Sequence, residues 1–114
     1  MKYVSALAIV ASLIGNANAE EAIAVIGYQK TTCGTWTKER RASSASAIVY
    51  EGWLAGFLSG WAVSEAAFNP LANLDPEAVY DWVDNYCSTH PLDVLSVAAV
   101  TLTKELLTRA KRSN

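Results

Sequence analysis

The sequence has few of the residue types that build enzyme active sites and metal centres. Its 114 residues include one histidine and two cysteines. A structural zinc site needs about four ligands, which this set does not supply. The sequence also lacks a C-x-x-C redox motif, a phosphate-binding loop and a G-x-S-x-G nucleophile elbow. We therefore expect a protein that is not an enzyme, with no catalytic residue, no metal and no cofactor.

The sequence also lacks a run or face of basic residues. It has nine Lys and Arg against eleven Asp and Glu, which gives a formal charge of −2. Binding to nucleic acid depends on clustered positive charge, so this class of partner is not expected. After the N-terminal stretch, no apolar run is long enough to span a membrane. The composition is that of a globular chain, of a length that suits a single domain.

The first residues have the pattern of a secretory signal peptide. Lys2 is followed by an apolar stretch at 4–15, and the Ala-Asn-Ala sequence at 17–19 is typical of a cleavage site. A membrane anchor or a buried helix is the alternative, but the apolar stretch is short for a membrane span, and the polar Asn16 that follows it fits cleavage better. We expect cleavage after residue 19, export to the periplasm of a Gram-negative bacterium, and no membrane span in the mature chain. Without Lys2, the mature chain has a formal charge of −3.

Two cysteines, Cys33 and Cys87, lie far apart in the sequence. In an oxidising compartment such a pair most simply forms a structural disulfide, here Cys33–Cys87. A metal site and a redox couple are the alternatives. The first lacks ligands, and the second normally uses closely spaced cysteines.

The rest of the chain is organised around residues 50–61. Bulky apolar residues recur there at helical spacing, at Tyr50, Trp53, Leu54, Phe57, Leu58 and Trp61. Gly52, Gly56 and Gly60 lie four residues apart and therefore share one side of the same helix. Each glycine in a helix costs about 1 kcal/mol relative to alanine. We therefore interpret the three as a helix-packing notch that another backbone approaches, either within the monomer or across a dimer.

Shorter signals place the other elements. Residues 20–32 are predicted to form an extended arm, and residues 33–42 a short helix with Trp36 in the core and Lys38, Arg40 and Arg41 facing water. Serines at 43–46 offer an N-cap for the central helix, predicted at 47–67. Asp75, Pro76 and Glu77 form a strong helix start, and that helix is predicted to end at Ser88.

The last helix is predicted at 92–109, with Pro91 favouring its first turn. Leu92 opens its apolar stripe, and residues 111–114 follow as a polar tail. The fold class is therefore all-α. We expect one small domain at 33–110, with three main helices and a short N-terminal helix, crosslinked by one disulfide.

The order of these landmarks resembles a known family. Cys33 with Trp36, the Trp53–Gly60 segment W-L-A-G-F-L-S-G, the Trp82–Cys87 segment W-V-D-N-Y-C, and His90-Pro91 are similar to the HdeA/HdeB superfamily. Its members are small periplasmic all-α proteins with one disulfide, known as acid-stress chaperones. The chain also looks distantly like immunity proteins that neutralise type VI secretion effectors. The matching residues cover most of the mature chain and are mainly scaffold residues.

The resemblance implies two alternative functions, both in binding other proteins. The first is an acid-stress holdase that exposes Trp53, Phe57, Leu58 and Trp61 to unfolding clients and hides them at neutral pH, as in a homodimer. The second is an immunity or inhibitor protein that binds one effector or hydrolase at neutral pH. That protein would use an acidic face formed by Glu77, Asp81 and Asp84.

Three features could suggest chemistry, and each has a simpler interpretation. His90 precedes a proline at a helix boundary, where a turn or cap residue is typical. Asp81 and Asp84 lie three apart, but such a pair on a solvated helix face is far commoner than a catalytic pair. The tryptophans could form a sugar platform, although their helical spacing favours a core.

Overall fold

The computed structural model describes residues 25–28 and 30–113. These residues form four helices: α1 (Cys33–Ala42), α2 (Ala45–Ser64), α3 (Pro76–Thr89) and α4 (Leu95–Ser113). The described part of the chain contains no strand, and its one β-bridge joins Thr32 to Val94. The all-α prediction is confirmed. The predicted signal peptide and the first residues of the predicted arm, 20–24, lie outside the described residues.

Serine and threonine side chains start the first two helices. The Thr32 hydroxyl accepts a hydrogen bond from the Thr35 N–H at 3.1 Å, and the Ser44 hydroxyl accepts one from the Ala47 N–H at 3.2 Å. Each bond satisfies a backbone donor that has no partner within its helix. Ser43, with a φ of 49°, separates the two helices. The predicted serine cap is therefore present, and α2 begins two residues before the predicted start.

Asp75 and Pro76 start α3 as predicted. The Asp75 carboxylate accepts a hydrogen bond from the Glu77 N–H at 3.0 Å, and Pro76 occupies the first turn. The preset φ of proline and its missing N–H suit this position. Local sequence chemistry alone therefore determines where α3 begins.

Replacing Asp75 with alanine is expected to lower the free energy of unfolding by about 1 kcal/mol, because the N-cap acceptor is lost. Urea denaturation followed by circular dichroism measures this difference. Asp75→Asn is the matched control, since asparagine caps about as well as aspartate. Equal losses in the two variants would contradict the capping role.

The predicted start of α4 is wrong. The helix begins at Leu95, and Leu92 is 93 % exposed instead of opening the apolar stripe. The carbonyl of Asp93 accepts from the Cys33 N–H at 2.7 Å, and that of Pro91 from the Gly34 N–H at 3.2 Å. Backbone carbonyls of this segment thus accept hydrogen bonds from the N–H groups in the first turn of α1. Because these carbonyls are bonded to α1, residues 91–94 do not join the helix α4.

The core lies where the four helices meet. Trp36 from α1 is fully buried, as predicted. Its neighbours in the core are Leu54 and Leu58 from α2, Val79 and Val83 from α3, and Leu95, Ala98, Ala99, Leu102 and Leu106 from α4. The Cys33–Cys87 disulfide joins α1 to α3 inside this core, with 4.8 Å between the two Cα atoms. The predicted pairing is confirmed.

The ends of α2 and α4 differ from their predicted positions. α2 stops at Ser64, where Glu65 caps it, and turns follow to residue 68. α4 continues to Ser113, so Lys111 and Arg112 lie in its last turn instead of in a separate tail. Positive side chains there suit the negative end of the helix dipole.

Candidate functional site

The helix α2 is apolar on all sides but buried on only one. Its 20 residues include a single charged residue, Glu51, and its buried residues are Ala47, Leu54 and Leu58. A soluble helix normally carries charged residues on the side that faces away from the core. In α2 that side has no charge and consists of exposed apolar residues, glycines and one serine. We call it the outward face; it comprises Ile48, Val49, Gly52, Gly56, Ser59, Gly60 and Val63.

The large residues of the outward face are strongly exposed. Ile48 is 69 % exposed and Val63 is 78 % exposed. Ile48 and Val63 mark the two ends of the face and lie about 22 Å apart along the helix, so the face is a long strip without charge. Contiguous exposed apolar surface of this kind is typical of sites that bind other proteins.

The three glycines of this face lie in open space. At Gly52, Gly56 and Gly60, no described heavy atom outside the helix's own backbone lies within 4 Å of where a Cβ would stand. The predicted close approach of another backbone is therefore not found within the described part of the monomer, because the other helices pack on the opposite side of α2. The cost of the glycines is not offset by any contact of the described residues.

The predicted protein-binding residues divide between the surface and the core. Trp53 and Phe57 stack with 5.5 Å between ring centroids, and both are half-buried, as is Trp61. Leu58 is only 2 % exposed, because it projects from the side of α2 opposite the glycines. Leu58 is thus a core residue in this structure, and only the three aromatic residues border the surface.

The described part of the arm lies against this aromatic border. The Trp53 indole N–H donates to the carbonyl of Ile26 at 2.8 Å. Gly27 has a φ of +109°, and a Cβ at this position would come within 2.5 Å of the Trp53 ring. Both the backbone conformation and the close approach therefore require glycine here. Val25 and Ile26 line a shallow groove with Gly52, Trp53, Gly56 and Phe57.

A second cluster, around Arg40, joins α1, α2 and α3. The prediction that Arg40 faces water is wrong, because its side chain is only 19 % exposed. Its guanidinium donates to Glu51 Oε1 at 2.7 Å and to both carboxylate oxygens of Asp84, at 3.1 and 2.8 Å. Asp81 lies 3.6 Å from the same group. The fork of the guanidinium thus holds carboxylates from two other helices.

Aromatic rings complete the Arg40 cluster. The Trp36 indole N–H donates to Asp84 Oδ1 at 2.7 Å. The guanidinium lies 5.7 Å from the ring centroids of both Trp36 and Tyr80, within cation–π distance. The hydrogen bond to Asp84 raises the pKa of Arg40 against the opposing effect of burial, and the bond to Glu51 adds to the increase. A raised pKa keeps Arg40 charged at every working pH, so any change of the cluster in acid comes from its carboxylates.

The predicted acidic face is therefore only partly available. Asp84 binds Arg40 and Trp36, whereas Asp81 has a side chain that is 71 % exposed. Glu77 is exposed in the first turn of α3. Because Arg40 offsets much of the negative charge at the centre of this face, the three carboxylates do not form one free acidic surface.

His90 is at the C-cap of α3, in agreement with the interpretation as a turn residue. Its ring stacks on Tyr86 at 4.1 Å, and Tyr86 stacks on Trp82 at 5.5 Å. The Tyr86 hydroxyl donates to Asp93 at 2.6 Å, and this bond, more than burial, raises the pKa of Tyr86.

The described residues contain no group of three or more His, Cys, Asp or Glu side chains that could hold a metal ion. None of the described helices is both long and apolar enough to cross a membrane.

The sequence contains a signal for the Arg40 cluster that the prediction of an exposed Arg40 does not take into account. Arg40 follows Trp36 by four residues, so the two side chains share one face of α1, and Trp36 was expected in the core. Glu51 is the one charge in an otherwise apolar helix. A positive side chain on the buried side of α1, together with the single negative side chain of α2, indicates a partly buried ion pair.

Comparisons of the chain with protein-family models, with curated proteins and with solved structures find no match. The resemblance to the HdeA/HdeB superfamily thus stays a prediction from the sequence landmarks.

Proposed function

We propose that this chain is a non-enzymatic, periplasmic protein-binding protein that holds unfolding proteins in acid, as an HdeA-like chaperone does. The observation that carries the proposal is the outward face of α2. It presents exposed apolar side chains at both ends of a strip about 22 Å long that carries no charge. Non-native proteins expose apolar segments of varied sequence, and an uncharged strip binds such segments without selecting one charge pattern.

The Arg40 cluster supplies a physical reason for a response to acid. Protonation of Glu51, Asp81 and Asp84 removes the charges that hold the guanidinium. In the predicted mature chain, full protonation of the carboxylates changes the formal charge from −3 to about +9, and self-repulsion then favours a loosened fold.

Loosening of α2 from α1 and α3 would enlarge the apolar surface. Leu54 and Leu58, now in the core, would join Trp53, Phe57 and Trp61 in contact with a client. The Cys33–Cys87 bridge limits how far the chain opens, because it still joins α1 to α3.

We expect the protein to suppress aggregation of an acid-unfolding client at about pH 3, measured by light scattering at molar excess. Val49→Lys and Val63→Lys place a charge that persists in acid on the outward face, and each is expected to weaken suppression several-fold. Leu92→Lys is the control, since Leu92 is also an exposed apolar residue but lies outside α2. Absence of suppression by the wild-type protein would overturn the proposal.

The alternative is an immunity or inhibitor protein with one cognate effector or hydrolase. It is favoured by the fact that the outward face is already exposed in the folded state and needs no acid to form. This face, and not the partly neutralised acidic face, would then contact the partner. A pull-down at pH 7 that returns one stoichiometric partner, lost in Val49→Lys and kept in Leu92→Lys, would favour this function over the chaperone.

A further inference from the structure

A cavity of about 340 Å³ lies between the loop that follows α2 and the C-terminal half of α4, and no residue of the outward face lines it. Pockets that bind small ligands have volumes of about 300–1,000 Å³. The lining residues that matter below come from the loop and from α4: Phe68, Asn69, Pro70, Asn73, Leu74, Leu106 and Arg109. The cavity therefore has the size of a site for a small ligand or for one end of a chain.

The loop is shaped by its own hydrogen bonds. The Asn69 N–H donates to the Ala66 carbonyl at 3.2 Å, and the Ala72 N–H donates to the Asn69 carbonyl at 3.0 Å. Asn69 and Asn73 have φ values of 47° and 58°, a left-handed conformation that asparagine adopts more readily than most residues. Their side-chain amides form no hydrogen bond with the described residues. Each amide therefore offers a donor and an acceptor to a ligand.

The charge at this cavity is positive. Among the described residues that line it, only Arg109 is charged, and Lys111 Nζ lies 5.3 Å from the centroid of the Phe68 ring. Neither cation has an ion-pair partner in the described part of the chain. The C-terminal end of a helix carries about half a negative charge, which two cations outweigh. The cavity thus favours an anionic ligand.

The floor of the cavity is apolar. Leu106 is only 4 % exposed and Pro70 is buried, whereas Phe68 and Leu74 are half-buried. An aliphatic group placed against these side chains leaves water, which is favourable. A ligand that fits both parts of the cavity therefore combines one negative charge with a short apolar group.

We propose that this cavity binds the C-terminal residue of a polypeptide, with its α-carboxylate at Arg109 and an aliphatic side chain against Leu106 and Phe68. A guanidinium binds a carboxylate through two parallel hydrogen bonds. The amides of Asn69 and Asn73 match the N–H and carbonyl groups of the preceding peptide bond. A fatty acid would displace water from these amides without replacing its hydrogen bonds. The site is separate from the outward face, so the inference does not depend on the proposed function.

The test is a titration at pH 7, followed by nuclear magnetic resonance, of the isotope-labelled protein as purified after expression of the full-length chain. The probe is acetyl-Gly-Leu. The backbone signals of Asn69, Asn73 and Arg109 are expected to shift, with a Kd on the order of 1 mM for a ligand of this size. The C-terminal amide of the same peptide should bind about tenfold more weakly, because it lacks the charge-assisted bonds to the guanidinium. Acetyl-Gly-Gly, without the aliphatic side chain, should also bind several-fold more weakly.

Arg109→Gln should weaken binding of acetyl-Gly-Leu about tenfold and leave binding of its amide unchanged. Because Arg109 is exposed, this change leaves the core intact. Arg112→Gln is the matched control, since Arg112 is also exposed near the end of α4 but does not line the cavity. It should change Kd by less than about twofold.

An equal loss in the two variants would assign the attraction to the overall charge of this helix end and overturn the proposal. Equal binding of the acid and amide peptides, or signals that shift only outside the cavity, would also overturn it. Hexanoate that binds as tightly as acetyl-Gly-Leu would assign the site to fatty carboxylates instead. Absence of binding by acetyl-Gly-Leu at 10 mM, about ten times the expected Kd, would refute the site altogether.

Discussion

Reduction of the Cys33–Cys87 bridge is expected to lower the free energy of unfolding by about 4 kcal/mol. The two cysteines are separated by 54 positions, and a crosslink across so long a loop removes much conformational freedom from the unfolded chain. A small domain has a total stability of about 5–15 kcal/mol. Urea denaturation with and without a reductant measures the loss, which should amount to a large fraction of the total.

The double variant Cys33→Ala/Cys87→Ala is the control for this prediction. It should be about as unstable as the reduced wild-type protein, and reductant should not change it further. Both sulfurs are buried, so reduction of the folded protein is expected to be slow unless urea is present. An unfolding free energy that is the same in oxidised and reduced protein would contradict a structural role for the bridge.

The variant Arg40→Met is expected to lose about 2 kcal/mol of stability at neutral pH, less than for a fully buried ion pair because the groups are partly exposed. Methionine can keep the contacts with Trp36 and Tyr80, but Glu51 and Asp84 would lose the cation that binds them. Leaving partly buried carboxylates without a partner costs more than losing one surface ion pair. Arg40→Lys should recover only part of the loss, since an ammonium group cannot bind a carboxylate through two parallel hydrogen bonds.

The pH dependence of the same variants tests the role of the cluster in acid. Because protonated carboxyl groups no longer need Arg40, the difference between wild-type protein and Arg40→Met should decrease as the pH falls. Arg41 is exposed and adjacent in sequence, so Arg41→Ala is the control and should change stability by about 0.5 kcal/mol or less. A difference that stays constant from neutral pH to acid would show that the ion pairs do not hold the helices together.

Local chemistry made much of the fold predictable. The Asp75-Pro76 start of α3 and the serine break before α2 depend on residues within one turn of the helix end. The start of α4 could not be predicted in this way. Residues 91–94 are kept out of the helix by backbone bonds to α1, about 60 residues earlier in the chain. These hydrogen bonds between distant residues outweigh the preference of Pro91 for the first turn of a helix.

The candidate site was predicted less completely than the fold. Helical spacing placed the glycines on one side of α2, but it did not show that the described helices leave that side uncovered. The predicted protein-binding set includes both Phe57 and Leu58, although two successive residues of a helix project in directions about 100° apart. The prediction that Arg40 faces water with Lys38 and Arg41 is wrong, because its three carboxylate neighbours come from other helices, which the sequence of α1 alone does not reveal.

The backbone bonds between residues 31–34 and 91–95 impose an order on how the chain reaches its native state. Two backbone N–H groups at the beginning of α1 donate hydrogen bonds to the carbonyls of Pro91 and Asp93, which lie about 60 residues later in the chain. A growing chain cannot form these hydrogen bonds of the first turn of α1 until residues 91–93 have been synthesised. Such distant pairings slow the search for the native topology. Although α1 precedes the other described helices in the chain, it is therefore among the last of them to be completed, and chains that are still being synthesised stay accessible to chaperones.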